Sequence, residues 1–487
     1  MKVALIMPPW LPEDIFPDKT SKSQVNYWQP LGLLYLGAYL KREGHSVKFF
    51  DGSFHSLKEI SGELKEYQPD LAGIYANTPL WKKAVATAEE IKKTTQAFVA
   101  VGGPYPTSMG EKTLVDSEAV DAFVIGEGEI IFTELADMLE AGKSLHGVKG
   151  LIFKDKGKVF KNPDRKPLED LDQLPFPARE LLEDKNMYIP PEGTYRKKPV
   201  AIVITSRGCD RKCIFCSQLD RERKIRYRSV ENVLEEIELL LEQGYREIRF
   251  LDDNFAADYN RAMKIAGEIR KRRLEFPWFF SSRVDTIDDR LLQECRRSGA
   301  WSVFFGAESG VQRNLNILRK GISLQQIEVA VKAAKQAGLK VTLPFIFGIP
   351  GEKYEDALET INFAIKLEPD VVNFHTMTPF PGTELYERAE EFGKIEGELE
   401  NFTFEGASFI PKTLKRSEIE ELRRIAFRKF YARPEFILRK LLEVRTASEF
   451  RALVRGVKSL FWIAFKEDAL KIKRKFTRKS SSETCDT

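Results

Sequence analysis

The sequence predicts an α/β protein with two successive parallel-sheet units and a helical, basic C-terminal region. Across the first 400 of its 487 residues, short apolar segments rich in β-branched residues alternate with amphipathic helical segments. That alternation is typical of strand–helix–strand units, which form parallel sheets. After residue 400 the periodicity becomes helical, and Lys and Arg outnumber Asp and Glu. We therefore expect units at residues 1–150, 200–400 and 401–487, with a Pro-rich, charged linker over 151–199.

The first unit contains five predicted strands, and the residues that follow them are candidate ligand contacts. The strands cover residues 3–7, 47–51, 71–75, 98–101 and 120–125. This order predicts a doubly wound, Rossmann-like sheet, whose ligands bind beyond the carboxyl ends of the strands. Glycines at two of these ends permit close approach of the backbone to a bulky ligand. The candidate contacts are Asp51, Asn77, Thr78, Gly102, Gly103, Tyr105, Gly126 and Glu127.

Six predicted strands in the second unit indicate an open, partial (β/α)6 barrel similar to a TIM barrel. They cover residues 200–205, 247–251, 278–284, 302–305, 341–347 and 371–374. Each strand ends in polar or Gly-rich residues. The carboxyl ends of barrel strands meet at one mouth, and the reactive groups of such barrels lie there.

Three cysteines, Cys209, Cys213 and Cys216, follow the first barrel strand with the spacing C-x3-C-x2-C. A structural zinc site takes four ligands, whereas a catalytic zinc takes three protein ligands and a water molecule. Ligands that are all thiolates fit an iron–sulfur cluster better. A cubane cluster held by three cysteines has one iron without a protein ligand, which is open to a substrate or cofactor. A different metal and unliganded thiols are the alternatives.

The segment Gly208–Cys216, here called the cysteine loop, has the aromatic Phe215 before its last cysteine and resembles the radical SAM signature. The resemblance implies a 4Fe-4S cluster whose open iron binds S-adenosyl-L-methionine and cleaves it reductively to a 5′-deoxyadenosyl radical. It also implies an external electron donor of the flavodoxin or ferredoxin type. The residues expected to contact S-adenosylmethionine are Phe215, Asp252, Asp253, Arg283, Glu308, Ser309, Gly348 and Gly351.

All of these residues except Phe215, which offers an apolar face nearby, have an expected partner on S-adenosylmethionine. By resemblance, the two aspartates hold the ammonium group, and Glu308 with Ser309 holds the ribose hydroxyls. Arg283 is expected to pair with the methionine carboxylate or to form a structural salt bridge. The Gly348–Gly351 segment permits close approach to the adenine.

The first unit resembles the cobalamin-binding domain that precedes the radical SAM core in the class B methyltransferase-like subclass. The matching segments are Pro30–Leu33, Glu43–Val47, Phe50–Asp51, Gly102–Pro104 and Gly126–Glu129. Many cobalamin-binding domains carry Asp-x-His-x-x-Gly, whose His binds the lower face of cobalt. Here Asp51 is followed by His55 at a different spacing. We therefore expect cobalamin to bind without a histidine ligand.

The combined resemblance implies methylation of an unactivated carbon of a small-molecule or lipid-like substrate by means of the deoxyadenosyl radical. One alternative uses the same cofactors for radical cyclisation, oxidation or rearrangement without methyl transfer. Another is a tRNA methylthiotransferase, but that family carries three further N-terminal cysteines, and residues 1–208 contain none. A third is a non-catalytic cobalamin or light sensor. The sequence identifies no substrate and no catalytic side chain.

Charge and cysteine usage indicate where the protein works. The net charge of +4 gives no basis for nucleic-acid binding, but residues 411–487 hold 21 Lys and Arg against 10 Asp and Glu. Five cysteines, three of them in one loop, argue against a disulfide scaffold, and we expect a cytoplasmic location. An apolar helical stripe that includes Phe461 and Trp462 lies in the basic tail. It predicts a helix packed on the barrel or peripheral contact with an anionic membrane.

Overall fold

The apolar, β-branched segments of the first 161 residues form one seven-stranded sheet in the computed structural model. The structure describes residues 1–11, 27–191, 193–217 and 224–444, together with 450, 453, 454, 456 and 457. The strands are β1 (Lys2–Met7), β2 (Ser46–Asp51), β3 (Leu71–Tyr75), β4 (Phe98–Gly102), β5 (Ala122–Val124), β6 (Leu151–Asp155) and β7 (Lys158–Lys161). The helices are α1 (Leu31–Arg42), α2 (Leu57–Tyr67), α3 (Trp81–Thr94), α4 (Pro104–Met109), α5 (Glu111–Val115) and α6 (Gly128–Glu140).

The order of strands in this sheet places a ligand crevice beside β1. The order is β2-β1-β3-β4-β5-β6-β7, and the first five strands are parallel. The chain leaves β1 toward β2 on one side and returns to β3 on the other, so the topological switch lies between β1 and β3. Ligands of doubly wound sheets bind outside the carboxyl ends of the strands at such a switch. The predicted doubly wound fold is confirmed.

The sheet extends beyond the expected boundary at residue 150. β6 pairs antiparallel with β5, and β7 pairs antiparallel with β6. The two-residue turn between them, Lys156–Gly157, has positive φ at both positions, which is the conformation that matches the twist of a hairpin. The hairpin covers the edge of β5, so residues 151–161 belong to the first sheet and not to a linker.

The rest of the predicted linker, in its described residues 162–191 and 193–199, is a strap held against both units. Arg179 is buried, and its Nη2 donates to the carbonyl oxygen of Ile202 at 2.7 Å. Its Nη1 lies 2.8 Å from the buried carboxylate of Glu236. Tyr188 is also buried, and its hydroxyl donates to Asp51 at 2.5 Å.

The second unit is a six-stranded parallel sheet that curves as an open barrel. Its strands are β8 (Val200–Val203), β11 (Glu247–Phe250), β12 (Trp278–Ser282), β13 (Ala300–Phe305), β14 (Lys340–Phe347) and β15 (Val371–Thr376). They are neighbours in chain order, so β8 and β15 form the edges. The short strands β9 (Ser206–Arg207) and β10 (Arg226–Tyr227) form a separate antiparallel hairpin after β8. The partial barrel predicted from six strands is confirmed.

Helices cover the outside of this barrel. They are α7 (Val230–Glu242), α8 (Tyr259–Lys271), α9 (Asp289–Arg297), α10 (Gln312–Ile317), α11 (Leu324–Gln336) and α12 (Tyr354–Leu367). Buried aromatic side chains, among them Trp278, Phe280 and Phe305, fill the space between strands and helices. This core keeps the strand ends in fixed positions, because closely packed interiors deform little.

The elements that follow β15, of which the first three precede the expected boundary at residue 401, pack on the end of the barrel. They are α13 (Glu384–Glu387), α14 (Ala389–Phe392), β16 (Gly393–Ile395), β17 (Phe409–Pro411), α15 (Arg416–Tyr431) and α16 (Pro434–Glu443). Helix α15 packs against β15, and the Tyr431 hydroxyl donates to the carbonyl oxygen of Val372 at 2.7 Å. Most of the predicted apolar stripe, including Phe461 and Trp462, lies outside the described residues. None of the helices in the described part has the length and apolar character that crossing a bilayer requires.

Candidate active site

The cysteine loop lies between β9 and β10, at the carboxyl end of β8. Gly208, the first residue of the loop, has φ +95°, and a Cβ there would lie 2.4 Å from the carbonyl oxygen of Lys224. Only glycine fits this close approach without displacing the backbone. Further along, the Ile214 N–H donates to the carbonyl oxygen of Leu318, and the Ile214 carbonyl accepts from the N–H of Leu385. These bonds fix the loop to the mouth of the barrel.

The three cysteine side chains are free thiols that suit a positively charged metal centre. Burial raises the pKa of Cys213. The sulfur of Cys216 is enclosed although the residue reaches the surface, and this enclosure, with the nearby Asp253 carboxylate, raises its pKa to about 12. A metal ligand must be the thiolate, so binding depends on a cation that replaces these protons. An all-sulfur donor set fits iron in a cluster better than it fits a hard cation. Phe215, half-buried, packs against the apolar cluster beneath the loop.

The two aspartates after β11 have different environments. Asp252 is buried, and its Oδ1 accepts bonds from the Thr205 N–H at 2.9 Å and the Ser206 hydroxyl at 2.6 Å. Its Oδ2 is buried without a hydrogen-bond partner. Asp253 is exposed, and it acts on the pKa of Cys216. An orphan carboxylate oxygen and a second carboxylate close to a cluster cysteine fit a cationic group such as an ammonium.

A lysine and an arginine also lie beside the cysteine loop. Lys320 donates to Glu308 Oε1 at 2.7 Å, and both side chains are at most 10% exposed. A Cβ at Gly306 would lie 2.5 Å from Lys320 Nζ, so glycine leaves the space for this ion pair. Arg283 lies close enough to act on the pKa of Cys213. Its guanidinium donates two hydrogen bonds to the carboxylate of Asp285, with nitrogen–oxygen distances of 2.8 and 3.0 Å. The structure therefore shows Arg283 in the salt bridge that the sequence offered as an alternative.

Two of the predicted S-adenosylmethionine contacts have structural partners within the protein. Ser309 is fully buried, and its hydroxyl lies 3.2 Å from that of Thr360 on α12, away from solvent. Its expected contact with a ribose hydroxyl is therefore not supported. Glu308 has φ +65° and bridges to Phe345 of β14, which turns the chain at the end of β13.

The loop after β14 is held by a buried acid that the sequence interpretation did not select. Gly348 and Gly351 have φ of +83° and +74°, which other residues rarely adopt. Glu352, fully buried, accepts from the Gly348 N–H at 2.6 Å and from Asn314 Nδ2 at 3.1 Å. Burial raises the pKa of Glu352 to about 8. This side chain fixes Gly348 at the barrel mouth.

The crevice of the first unit is lined by backbone. Gly103 has φ +118°, and a Cβ there would lie 2.6 Å from the carbonyl oxygen of Ala76. Gly126 has φ +86°, and a Cβ there would project into open space. Asn77 and Thr78 follow β3 at the same edge, and Asn77 Oδ1 accepts from the Leu80 N–H. The open space beside Gly126 fits the approach of a large, flat ligand such as cobalamin, whereas the glycine at position 103 is required by the nearby Ala76 carbonyl oxygen.

Asp51 and Tyr105, two predicted crevice contacts, have partners within the protein, and so does His55, which was not expected to bind cobalt. Asp51 is bonded to Tyr188 of the strap, so its carboxylate is not open to a ligand. Tyr105 is buried and stacks on Trp81, with ring centroids 4.9 Å apart, which places its ring in the core and not on the crevice surface. His55 Nε2 lies 2.7 Å from Glu183. Cobalamin binding without a histidine ligand stays a prediction.

Glu127, the last predicted crevice contact, joins the two units. Its carboxylate accepts two bonds from Arg226, at 2.6 and 3.0 Å. Arg207 donates to the neighbouring Glu129 at 2.6 Å. Burial opposes the charge, but Arg226 and Arg207 outweigh it and hold the pKa of Glu127 below its usual range. The carboxyl edge of the first sheet is thereby joined to the hairpin that carries the cysteine loop.

Comparisons with known proteins agree with both halves of this site. The family model of the radical SAM superfamily matches residues 203–364, and that of the B12 binding domain matches residues 22–136. The chain is 36% identical, over 95% of its length and 99% of the relative's, to an uncharacterized methyltransferase of Pyrococcus horikoshii. This chain belongs to the cobalamin-dependent radical SAM methyltransferases. Its cofactors are a 4Fe-4S cluster, S-adenosylmethionine and cobalamin.

Two further similarities concern a relative with a different named activity and a solved structure with the same fold. The enzyme is 30% identical to the anaerobic magnesium-protoporphyrin IX monomethyl ester cyclase of Rubrivivax gelatinosus, over 84% of this chain and 75% of the relative. The fold matches that of the radical S-adenosylmethionine methyltransferase TsrM of Kitasatospora setae, with a TM-score of 0.69 and 19% identity over 96% and 99% of the two chains. The second similarity shows the shared architecture of sheet, barrel and C-terminal region.

Proposed function

We propose that this enzyme methylates a carbon of a small-molecule substrate bound between the first sheet and the barrel mouth. The observation that carries the proposal is the contact between the Gly126–Glu129 segment and the base of the cysteine loop. It brings the edge of the cobalamin domain to the residues that precede the cluster. A methyl donor and a radical generator act on one substrate only if their sites are adjacent, because near-attack distances are a few ångströms.

The proposed residue roles follow from the environments of the side chains. Cys209, Cys213 and Cys216 hold the cluster, and the free oxygen of Asp252 with Asp253 binds the ammonium of S-adenosylmethionine. The Gly348–Gly351 loop receives the adenine, and the glycines of the first crevice receive cobalamin. When bound, these cofactors supply the radical and the methyl group, and the protein positions them and excludes water.

His375 is a candidate for contact with the substrate. It lies at the carboxyl end of β15, and its Nδ1 is buried without a hydrogen-bond partner. Burial and the charge of Arg423 lower the pKa of His375 to about 4, so the ring is neutral at physiological pH. A neutral ring offers one nitrogen as an acceptor and the other as a donor.

The test is mass spectrometry of metabolites and lipids from a strain that lacks this enzyme. We expect loss of one methylated compound and accumulation of its counterpart without the methyl group. The wild-type enzyme and the variant Cys295→Ala should restore the compound. Cys295 is buried in the core beneath α9 and is not part of the cysteine loop. The variant Cys216→Ala should not. An unchanged methylated fraction of the metabolome would contradict the proposal.

A second candidate function is radical cyclisation or oxidation with the same cofactors, without methyl transfer. The 30% identity to an anaerobic cyclase favours it. S-adenosylmethionine with a deuterated methyl group separates the two functions. Methyl transfer incorporates deuterium into the product, whereas cyclisation yields a product without it. Deoxyadenosine formation in either case argues against a non-catalytic cobalamin sensor.

An electron donor and a membrane contact complete the proposal. Reductive cleavage requires one electron from an external donor of the flavodoxin or ferredoxin type. The 21 basic and 10 acidic residues of segment 411–487 suit an anionic surface, with roughly 1 kcal/mol for each basic residue that reaches it. Co-sedimentation with anionic and neutral vesicles at low and high salt tests this contact. Protein that stays in the supernatant with anionic vesicles at low salt would refute it.

A further inference from the structure

Two arginines face each other across the hairpin at the base of the cysteine loop. Arg207 of β9 and Arg226 of β10 are directly opposite in an antiparallel register. Directly opposed residues point to the same face of a hairpin, and like charges in such a pair are destabilising. Their side chains are only 19% and 3% exposed, so solvent screens the repulsion weakly. The hairpin therefore carries an unfavourable pair where it closes the loop of the cluster cysteines.

The two charges that offset this pair come from the other unit. Glu127 accepts both bonds of the Arg226 fork, and its Oε1 lies 3.4 Å from Arg207 Nη1. Glu129 accepts from Arg207 at 2.6 Å and is itself 9% exposed. Two arginines and two carboxylates form a group with no net charge. Both carboxylates lie at the start of α6, where the helix dipole favours negative charge.

Further contacts fix Arg207 and Arg226 in place. The Arg207 guanidinium lies 5.2 Å from the centroid of the Tyr35 ring on α1, a cation–π contact with the first unit. Arg226 also donates to the carbonyl oxygen of Leu168 in the strap at 2.7 Å. The hairpin is thus bonded to the first sheet, to α1 and to the strap, whereas β9 and β10 share a ladder of only two residue pairs.

We propose that Glu127 and Glu129 are positioning residues that close the base of the cysteine loop only when the first sheet is docked on the barrel. The docked carboxylates neutralise the opposed arginines. Loss of docking leaves the arginines unneutralised and opens the hairpin beside the cluster. The cluster loop is therefore complete only in the arrangement that also brings the cobalamin crevice to it, which couples the two half-sites. The coupling of the two half-sites rests on the proposed placement of the cofactors. The closing of the hairpin by Glu127 and Glu129 does not.

Hydrogen exchange on the full-length protein without cofactors tests the structural content. In the double variant Glu127→Gln with Glu129→Gln, which keeps side-chain shape, we expect amides in peptides covering 204–209 and 224–230 to exchange at least tenfold faster. Adding Arg207→Met removes one of the two like charges and should restore most of the protection. The exposed pair of Lys366 and Glu328 on α12 and α11 supplies the control Glu328→Gln, which should leave these peptides unchanged.

Wild-type exchange rates in the double variant would overturn the proposal, as would failure of Arg207→Met to reverse the opening. Thermal unfolding of each variant shows whether faster exchange is confined to the hairpin, as expected, or reflects global unfolding, which would also overturn it. In the reconstituted enzyme, we expect the ratio of S-adenosylhomocysteine to deoxyadenosine to fall at least tenfold in the double variant. An open hairpin with an unchanged ratio supports the positioning role and contradicts only the proposed placement of the cofactors.

Discussion

Replacing Glu352 with Gln is expected to remove a pH dependence from the stability of the barrel. The carboxyl of Glu352 is fully buried and accepts from Gly348, Ile349 and Asn314. Burial raises its pKa to about 8 from a usual value of 4.5. A group whose pKa is higher in the folded state stabilises the fold fully below its unfolded pKa. That contribution is lost as the pH rises through the folded pKa.

The size of the effect follows from the shift. Between the two pKa values the stability of the barrel falls by about 1.4 kcal/mol for each pH unit, so about 3 kcal/mol is lost between about pH 5 and about pH 7.5. A Gln side chain does not titrate. Its carbonyl oxygen replaces the acceptor for Gly348 and Ile349. Its amide nitrogen takes the place of the oxygen that accepts from Asn314 Nδ2, so the Asn314 amide must turn over and present Oδ1, which is buried without a partner, as the acceptor. The variant should therefore be more stable than the wild type at the alkaline end of this range.

Native-state hydrogen exchange of β13 and β14 reports this stability without requiring two-state unfolding of the whole chain. Opening free energies, corrected for intrinsic exchange, should fall with pH in the wild type and stay nearly level in Glu352→Gln. Glu355→Gln, at an exposed position in the first turn of α12 three residues after Glu352, is the matched control and should follow the wild type. The same pH slope in wild type and Glu352→Gln would show that the buried carboxyl does not titrate in this range.

Three further predictions concern the cofactors. Replacing any one cysteine of the cysteine loop by Ala should abolish deoxyadenosine formation and reduce the bound iron from about four per chain. The control Cys295→Ala should change neither. Zinc in place of iron in the wild type would contradict this prediction. Gly208→Ala should also lose the cluster while the barrel stays folded, because a Cβ there would lie 2.4 Å from the Lys224 carbonyl oxygen, and a normal cluster absorbance would refute it. Electron paramagnetic resonance of the cobalt(II) form should show no axial nitrogen splitting, since His55 is paired with Glu183. A nitrogen triplet that disappears in His55→Ala would be evidence against this interpretation.

The fold was largely predictable because its signals are local. A buried parallel strand is a short apolar segment, and the chain shows eleven of them in the predicted order. The hairpin of β6 and β7 was missed, although Lys156–Gly157 is a turn signal, because the preceding strands were parallel and the next segment is rich in Pro and charge. The sequence predicts a linker where the structure has the strap, because the order of the strap depends on buried partners distant in sequence, such as Glu236.

The site was predictable to the extent that its residues are close in sequence. The cysteine loop and the strand-end glycines carry their own spacing, and the predicted cofactors are confirmed by the family. The partners of charged side chains are different, because Arg207 and Glu129 are 78 positions apart and Arg226 and Glu127 are 99 apart. Glu308 and Lys320 are only 12 positions apart, but no pattern in the sequence indicates that they pair. The structure shows that the missing side chain of Gly306 leaves room for Lys320.

Buried polar contacts, in addition to apolar packing of the strap against Ile202 and Ile204, connect the strap to the barrel near the cysteine loop. Glu236 lies fully buried between Arg179 of the strap and Arg228 of the barrel. The Arg228 carbonyl accepts from Arg261, whose guanidinium also donates to Thr205, four residues before Cys209. Buried ion pairs contribute little net stability compared with apolar packing, but they require specific directions. Such a connection fixes orientation more strongly than it stabilises, which suits a junction where two cofactors must meet at one substrate carbon.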